Sequence, residues 1–417
     1  MSESMAFWAT VAVFGTTYAG LAVGRLPWLR TDRPGIALAG GAAVLAFGLL
    51  SFEQAVAAID FATLGLLLGM MVVVAYLRRG GFFDLLAGRA LARVGTPAGL
   101  LAVTMVLSAV LSALLVNDVA CLALTPLVLH LARQMGTDPR PHLIGLAVAS
   151  NVGSVATLTG NPQNMIIGGL SHVSYLRFAA KLAPVALVCL VVAYAVTWLV
   201  FRTTLTAEST PRPDAGAAPR RLPRKQRALL VKSVAVAVAA VVGFFAGLPM
   251  ATVALAAAGV LLLDRVTPAK VYREVDWPLL VMFAGLFVVV HAFEVHVLHR
   301  VGVENWSVLR DHPVGALSGA SAVLSNVVSN VPAVLLFKPV IAAMPAGVQE
   351  VAWLALAMSS TLAGNLTVLG SVANLIVVEN ARKEGATITL ADYCRVGIPV
   401  TLLTLAIGVV WLKSVPY

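Results

Sequence analysis

Two stretches of the chain, 213 residues apart, are nearly the same: Ser108-Ala-Val-Leu-Ser112-Ala-Leu-Leu-Val-Asn117-Asp118 and Ser321-Ala-Val-Leu-Ser325-Asn-Val-Val-Ser329-Asn330-Val331. Pro126 and Pro339 follow at the same offset. Asp60, Gly69 and the valines at 72–74 recur 216 residues later as Asp276, Gly285 and the valines at 288–290. Thr157, Gly160, Asn164 and Ile166 recur 210 residues later as Thr367, Gly370, Asn374 and Ile376. Chance identity is easy among Ala, Val and Leu, but matched Ser, Asn, Gly and Pro are much harder to obtain that way. The chain is a duplicated unit, so its fold is built twice.

The matched polar residues lie inside very apolar segments. The chain is 59% hydrophobic and 12% charged, whereas a soluble domain carries about 25% charged residues. Apolar runs of about 18–20 residues recur along it, each long enough to cross a hydrocarbon core of roughly 30 Å. This predicts a polytopic helical membrane protein. Residues Met1 to Met5 lack the basic region and cleavage site of a signal peptide, so the first run is expected to stay as a membrane helix. Cys121, Cys189 and Cys394 have neither disulfide nor metal-ligand spacing. The net charge of +10 sits in short loops, where basic residues set topology rather than bind nucleic acid.

The runs read as spans over 5–26, 33–51, 60–78, 142–171 (interrupted) and 181–201, with a hairpin at 97–131. The second set covers 228–247, 250–264, 277–293, 350–380 (interrupted) and 395–412, with a hairpin at 313–345. Residues 1–202 form one repeat, 203–227 a polar linker, and 228–417 the other. If the N-terminus is outside and each hairpin dips in and returns, each half crosses five times and the second is inverted. The inner face then collects Arg25, Arg30, Arg33, Arg78, Arg79, Arg89, Arg93, Arg133, Arg140 and Arg202. It also collects Arg212, Arg220, Arg221, Arg224, Lys225, Arg227, Lys232, Arg265, Lys270, Arg273, Arg382, Lys383 and Arg395. These are 23 of the 29 basic residues, as the positive-inside rule requires. The expected fold is an all-α polytopic membrane protein of two inverted repeats, each with five spanning helices (one broken) and one re-entrant hairpin. Both termini are expected outside the cytoplasmic membrane and the linker in the cytoplasm. Segments 82–94 and 294–311 read as amphipathic connectors before the hairpins.

The hairpin arms converge on Asn117-Asp118 and on Ser329-Asn330. Backbone that turns at mid-membrane leaves N–H and C=O groups unpaired, and it is tolerated only against protein or a wet cavity. Asn and Ser there can satisfy those groups or ligate a cation. The interrupted spans carry Asn151, Thr157, Thr159, Asn161 and Asn164 in one copy and Asn365, Thr367, Ser371 and Asn374 in the other. Discontinuous helices at matching places in two halves point to a transport site; close packing of small residues is the alternative. Asp118 is the one carboxylate placed near the membrane centre, and its counterpart is Val331. An intramembrane acid is costly unless paired, hydrated or protonated, so Asp118 is the expected proton carrier or cation ligand, with hydrogen bonding of the hairpin as the alternative. His291, His296 and His299 lack metal-ligand spacing, and Asp60, Asp276 and Glu379 read as helix-boundary residues. No nucleophile–base pattern or Walker-type loop is present, so neither an enzyme nor a pump carrying its own ATPase is expected.

At these residues the chain resembles the ion transporter superfamily of arsenite-efflux permeases, sodium/proton antiporters, citrate–metal symporters and divalent-anion/sodium symporters. The marks are Val116-Asn117-Asp118, Gly160-Asn161-Pro162-Gln163-Asn164 and Gly370-Ser371-Val372-Ala373-Asn374, and the likeness spans essentially the whole chain. The resemblance implies that substrate and ions sit between hairpin tips and unwound helices. Ser112, Asn117, Asp118, Asn151, Thr157, Thr159, Asn161, Asn164, Ser325, Ser329, Asn330, Asn365, Thr367, Ser371 and Asn374 would then bind, with Asp118 coupling. It also implies a homodimer, and leaves a separate ATPase subunit open. Dicarboxylate members carry Ser-Asn-Thr at both tips, whereas Val-Asn-Asp resembles the arsenite-permease branch. The expected activity is secondary active transport of an inorganic anion or an arsenite- or antimonite-like solute. It would be coupled to H+ or Na+ without a cofactor, the solute and membrane lipid being its partners. Sodium/proton antiport and citrate-like carboxylate symport are the alternatives.

Overall fold

The structure, a computed structural model, describes residues 2–23, 31–91, 94–206, 223–264, 266–298, 300, 308 and 312–414. Arg25, Arg30, Arg93, Arg265, His299, residues 207–222 of the linker (with Arg212, Arg220 and Arg221) and most of 294–311 lie outside the described residues, as does the side chain of Arg89. Among the described residues the regular structure is helical apart from one isolated bridge residue, Thr31. The first half runs α1 (Glu3–Val23), α2 (Arg33–Ala46), α3 (Phe52–Ala58), α4 (Phe61–Gly80), α5 (Phe82–Leu91), α6 (Pro97–Leu115), α7 (Asn117–Gln134), α8 (Arg140–Ser154), α9 (Pro162–Ser171), α10 (Tyr175–Val200) and a short α11 (Arg202–Leu205). The second half repeats the order: α12 (Arg224–Phe245), α13 (Met250–Leu262), α14 (Pro268–Tyr272), α15 (Trp277–Phe293), α16 (Pro313–Val328), α17 (Asn330–Ala342), α18 (Ala346–Ala363), α19 (Val372–Lys383) and α20 (Leu390–Ser414). A π turn over Glu294–Leu298 extends α15.

Among the described residues, seven helices are long and apolar enough to cross a membrane. Large apolar side chains point outward from the long ones, among them Trp8, Leu187, Val191, Val242, Leu402 and Val410. In water such a surface would be costly; against lipid it is the expected exterior. The chain is a multi-pass membrane protein. Two runs read as spans are shorter than expected. The segment 33–51 is helical only to Ala46, because Gly48 turns at φ +63° and Ser51 starts α3 with a capping box to Gln54. Its counterpart α13 has 13 residues, about 20 Å of helix.

The two halves interlock by exchanging partners. α2 lies along α15 as α13 lies along α4. Both crossings depend on a repeated glycine: a Cβ on Gly69 would sit 2.6 Å from the Ala254 carbonyl carbon, and one on Gly285 would strike the Ala37 carbonyl. Around this crossing, α6 packs on α8 and α16 on α18, while α10 and α20 pack together. Asp60 and Asp276 cap α4 and α15, accepting from Thr63 N and Leu279 N. Glu379 lies one turn inside α19 and pairs with Arg382 instead of marking a boundary. His296 Nε2 is 2.8 Å from the Leu49 carbonyl oxygen.

Candidate functional site

Each hairpin turns on a non-glycine residue in left-handed space, Val116 at φ +89° and Ser329 at φ +80°. The helices that follow start at Asn117 and Asn330 with no side-chain cap, so their first N–H groups need other partners. The first tip finds them in the neighbouring helix break. Asn117 N donates to the Gly160 carbonyl at 2.9 Å, and Thr157 donates its hydroxyl to the Ala113 carbonyl. The second tip is tied differently: Asn326 Nδ2 reaches the Ala322 and Ala363 carbonyls, both at 3.0 Å, and Tyr18 of α1 donates to the Pro332 carbonyl.

The breaks between α8 and α9 and between α18 and α19 free carbonyls, and one repeated asparagine closes each. Asn164 Nδ2 donates to Ser154 O and Thr157 O, both at 3.0 Å. Asn374 Nδ2 donates to Gly364 O at 2.7 Å and Thr367 O at 3.0 Å. Asn161 and Ser371 cap the restarting helices α9 and α19. The halves are then cross-braced. Asn151 of α8 accepts from Asn117 Nδ2 (3.1 Å) and Ser371 Oγ (3.0 Å) and donates to Asn365 Oδ1 (2.9 Å) and Asn374 Oδ1 (3.0 Å). That is the full capacity of one amide side chain. Thr361, at the position repeating Asn151, receives Asn161 Nδ2 at 3.2 Å and Gln163 Nε2 at 3.3 Å.

Asn117, Asn151, Asn365, Ser371 and Asn374 thus form one network, and Asn161, Asn164, Thr157, Gln163 and Thr361 surround the other break. Thr159 stands apart against Tyr175 OH at 2.8 Å. Among the described residues, Ser112 and Ser325 are buried with unpartnered hydroxyls, and Asn117 Oδ1, Asn164 Oδ1 and Asn330 Oδ1 are buried acceptors without partners. Thr361, Gln163 and Asn326 take part in the bracing although the repeat pattern did not single them out. Thr361 could have been found by asking what stands 210 residues after Asn151.

A cavity of about 230 Å³ lies against the first tip. Val116, Pro162 and Val372 line it where the tip and the two restarting helices meet, and Leu67, Met71, Val74, Val119, Leu122 and Met165 form apolar walls. Arg78, Glu274 and Asp276 stand at helix ends along it. Of the residues expected to bind, Asp118 lines this cavity, and its carboxylate makes no hydrogen bond or ion pair among the described residues. The asparagine network lies behind the lining, not in it. Glu274 is held by Arg78 (2.9 Å) and Arg79 (2.6 Å).

The family model described as citrate transporter matches residues 20–363. The chain belongs to the citrate transporter family. An uncharacterized transporter of Mycobacterium tuberculosis (strain CDC 1551 / Oshkosh) is 32% identical over 418 residues, covering 96% of this chain and 97% of its own. The silicon efflux transporter LSI3 of Oryza sativa subsp. japonica is 32% identical over 456 residues, covering 92% and 93%. The putative transporter arsB of Dictyostelium discoideum is 25% identical, covering 91% and 87%. Among solved structures, the YdaH transporter of Alcanivorax borkumensis, described as having an unusual topology, superposes with a TM-score of 0.61 at 16% identity over 98% of this chain and 97% of that one. That likeness shows the fold. A citrate transporter family member with this architecture is a membrane transporter, as the resemblance of its hairpin and helix-break motifs implied.

Proposed function

We propose that this chain is a secondary active transporter for an undissociated inorganic hydroxide, of the arsenite, antimonite or silicic acid type, with Asp118 as the group that couples transport to a proton or sodium gradient. One observation carries the choice of solute. Among the described residues the cavity is lined by three carboxylates, Asp118, Glu274 and Asp276, against the single guanidinium of Arg78. Two arginines are committed to Glu274, so among the described residues Asp118 has no cation paired with it. A free polycarboxylate such as citrate, or any inorganic anion, would meet like charge inside an apolar-walled space where Coulomb energies are large. A neutral hydroxide meets no such cost and brings O–H donors to a carboxylate. Silicon and arsenic(III) both circulate near neutral pH as such hydroxides, and the names of the rice and Dictyostelium relatives support the choice.

Two further observations support the inverted layout, with the N-terminus outside and the cavity opening to the cytoplasm. The basic residues concentrate on one face by the count above. The ion pairs Arg78–Glu274, Lys232–Asp264, Arg133–Glu384, Arg140–Asp392, Arg177–Glu350, Arg300–Glu3 and Lys338–Glu294 each join two residues that this layout assigns to the same side. A second reading, sodium/proton antiport, draws on the same acidic cavity and on the buried, unpartnered Asn117 Oδ1 beside Asp118, since both would suit a cation as the cargo itself.

Proteoliposomes under a pH or sodium gradient test both. Wild type is expected to accumulate arsenite, antimonite or silicic acid, and Asp118→Asn to lose gradient-driven flux to background. Transport of free citrate without any hydroxide would overturn the proposal. Proton movement on adding sodium alone would select antiport.

A further inference from the structure

Asp60 and Asp276 hold the same place in the two repeats, and both cap a helix through Oδ1, to Thr63 N at 3.0 Å and to Leu279 N at 3.1 Å. There the likeness ends. Thr63 also donates its hydroxyl to Asp60 Oδ2 at 2.5 Å, so both oxygens of Asp60 are engaged. Residue 279, at the position repeating Thr63, is leucine. Asp276 Oδ2 is left without a hydrogen-bond partner among the described residues. Asp276 and Leu279 line the same cavity as Asp118, and Asp276 is solvent-exposed.

Among the described residues the charged groups along that cavity are Arg78, Glu274, Asp276 and Asp118, and its other walls are apolar. Glu274 is occupied by Arg78 and Arg79. Among the described residues that line the cavity, the free oxygen of Asp276 is therefore the uncommitted base besides Asp118, and its exposure turns it toward solution. We propose that Asp276 is the proton-exchange carboxylate of this pathway. Its Oδ2 takes a proton from solution, passes it through cavity water to the Asp118 carboxylate and returns to the anion, so that one proton moves and no other bond changes. On release the order reverses. This rests on the proton-coupled reading of Asp118. Positioned general acids and bases speed proton transfer by factors of about 10²–10⁴, so a carboxylate at the mouth would set how fast Asp118 equilibrates with bulk pH.

The test uses the reconstituted full chain with arsenite as the probe, a trapped pH dye, and two modes: proton-driven net flux across a pH series, and arsenite/arsenite exchange at equal pH on both sides. Asp276→Asn keeps an N-cap of equal quality while removing the proton acceptor. Net flux is expected to fall about ten-fold or more, with a flattened pH profile, while exchange is unchanged. Leu279→Thr supplies the hydroxyl that Asp60 already has, and is expected to lower net flux in the same sense by a smaller factor. Asp60→Asn should leave both modes at wild-type values. Wild-type net flux and pH profile in both Asp276→Asn and Leu279→Thr, with coupling lost in Asp118→Asn, would overturn the relay alone. Retained coupling in Asp118→Asn would remove the reading on which it stands. If Asp276→Asn loses exchange as well through misfolding, the Leu279→Thr pH profile decides.

Discussion

The two helix breaks are the same device carrying different loads. In each, an asparagine one turn into the restarting helix closes the freed carbonyls, Asn164 on Ser154 and Thr157, Asn374 on Gly364 and Thr367. In each, a residue at the matching position of the other half braces the gap. On one side that residue is Asn151, with all four hydrogen-bonding positions used. On the other it is Thr361, whose hydroxyl receives two donors. The hairpins diverge in the same sense: Asp118 faces a cavity along the first, and Val331 is buried in the second. The cavity walls follow, since Leu67, Met71 and Ala75 correspond to the larger Phe283, Phe287 and His291. Duplication fixed where the backbone breaks; divergence decided which hairpin would face an open, acidic space.

The sharpest way to break this comparison is to remove the two braces separately. Asn151→Leu leaves four polar partners buried without their amide, and each such group costs about 1–3 kcal/mol. A loss of about 4 kcal/mol or more is expected, at the upper end for a single substitution. Thr361→Val keeps the shape; Asn161 Nδ2 retains Ser154 Oγ, so chiefly the Gln163 amide loses its partner, for about 1–3 kcal/mol. Thermal unfolding of the detergent-solubilised protein measures both. Equal effects, or a larger one at Thr361, would show that the network does not centre on Asn151.

The glycines inside the breaks offer a like-for-like test of smaller size. A Cβ at Gly160 would run into the Ser154 backbone, whose carbonyl oxygen, Cα and carbonyl carbon are its three nearest atoms. At Gly370 the nearest are the Gly364 carbonyl oxygen at 2.8 Å and Asn326 Oδ1 at 2.9 Å, and the second belongs to a side chain that can turn. Overpacking of this kind costs about 1–3 kcal/mol. Gly160→Ala is expected at the top of that range and Gly370→Ala at the bottom, read from monodisperse yield and unfolding temperature. The reverse order would mean that the first break relaxes more easily than its geometry suggests.

Much of this architecture is legible in the chain because the repeats mark it. Identical Ser, Asn, Gly and Pro at constant offsets locate the hairpins and breaks, and the tip residues fall where the apolar runs meet Asn. What identity cannot show is a position that keeps its role while changing its residue. Thr361 braces as Asn151 does, yet the pair is not a match, so Thr361 escapes a search for matches. Leu279 escapes for the opposite reason: it is an unremarked leucine until the hydroxyl of Thr63 is seen on Asp60. The short α2 escapes because hydropathy continues past Gly48, where the backbone turns. The direction of the asparagines was also out of reach. Whether an amide at a break faces a solute or its own carbonyls depends on where the chain restarts, and here Asn164 and Asn374 turn inward to brace.

The smallest expected effect concerns the tips themselves. Val116 adopts φ +89°, ψ +126°, and Ser329 adopts φ +80°, ψ +159°. A β-branched residue there is a steric outlier, and such a conformation costs about 1–3 kcal/mol. Glycine removes that cost but loses about 0.5–1 kcal/mol through the freedom of the unfolded chain. Val116→Gly should therefore stabilise the fold by about 1 kcal/mol, and Ser329→Gly, lacking the branched side chain, by less. The transport assay separates the halves further. Asp118 lies two residues beyond Val116 on a helix with no side-chain cap, so freeing that turn loosens the direction of its carboxylate. Val116→Gly should lower gradient-driven flux while raising stability, and Ser329→Gly should leave flux near wild type. Equal loss of flux at both tips would mean that the first hairpin holds no privilege over the second, whatever its cavity and carboxylate suggest.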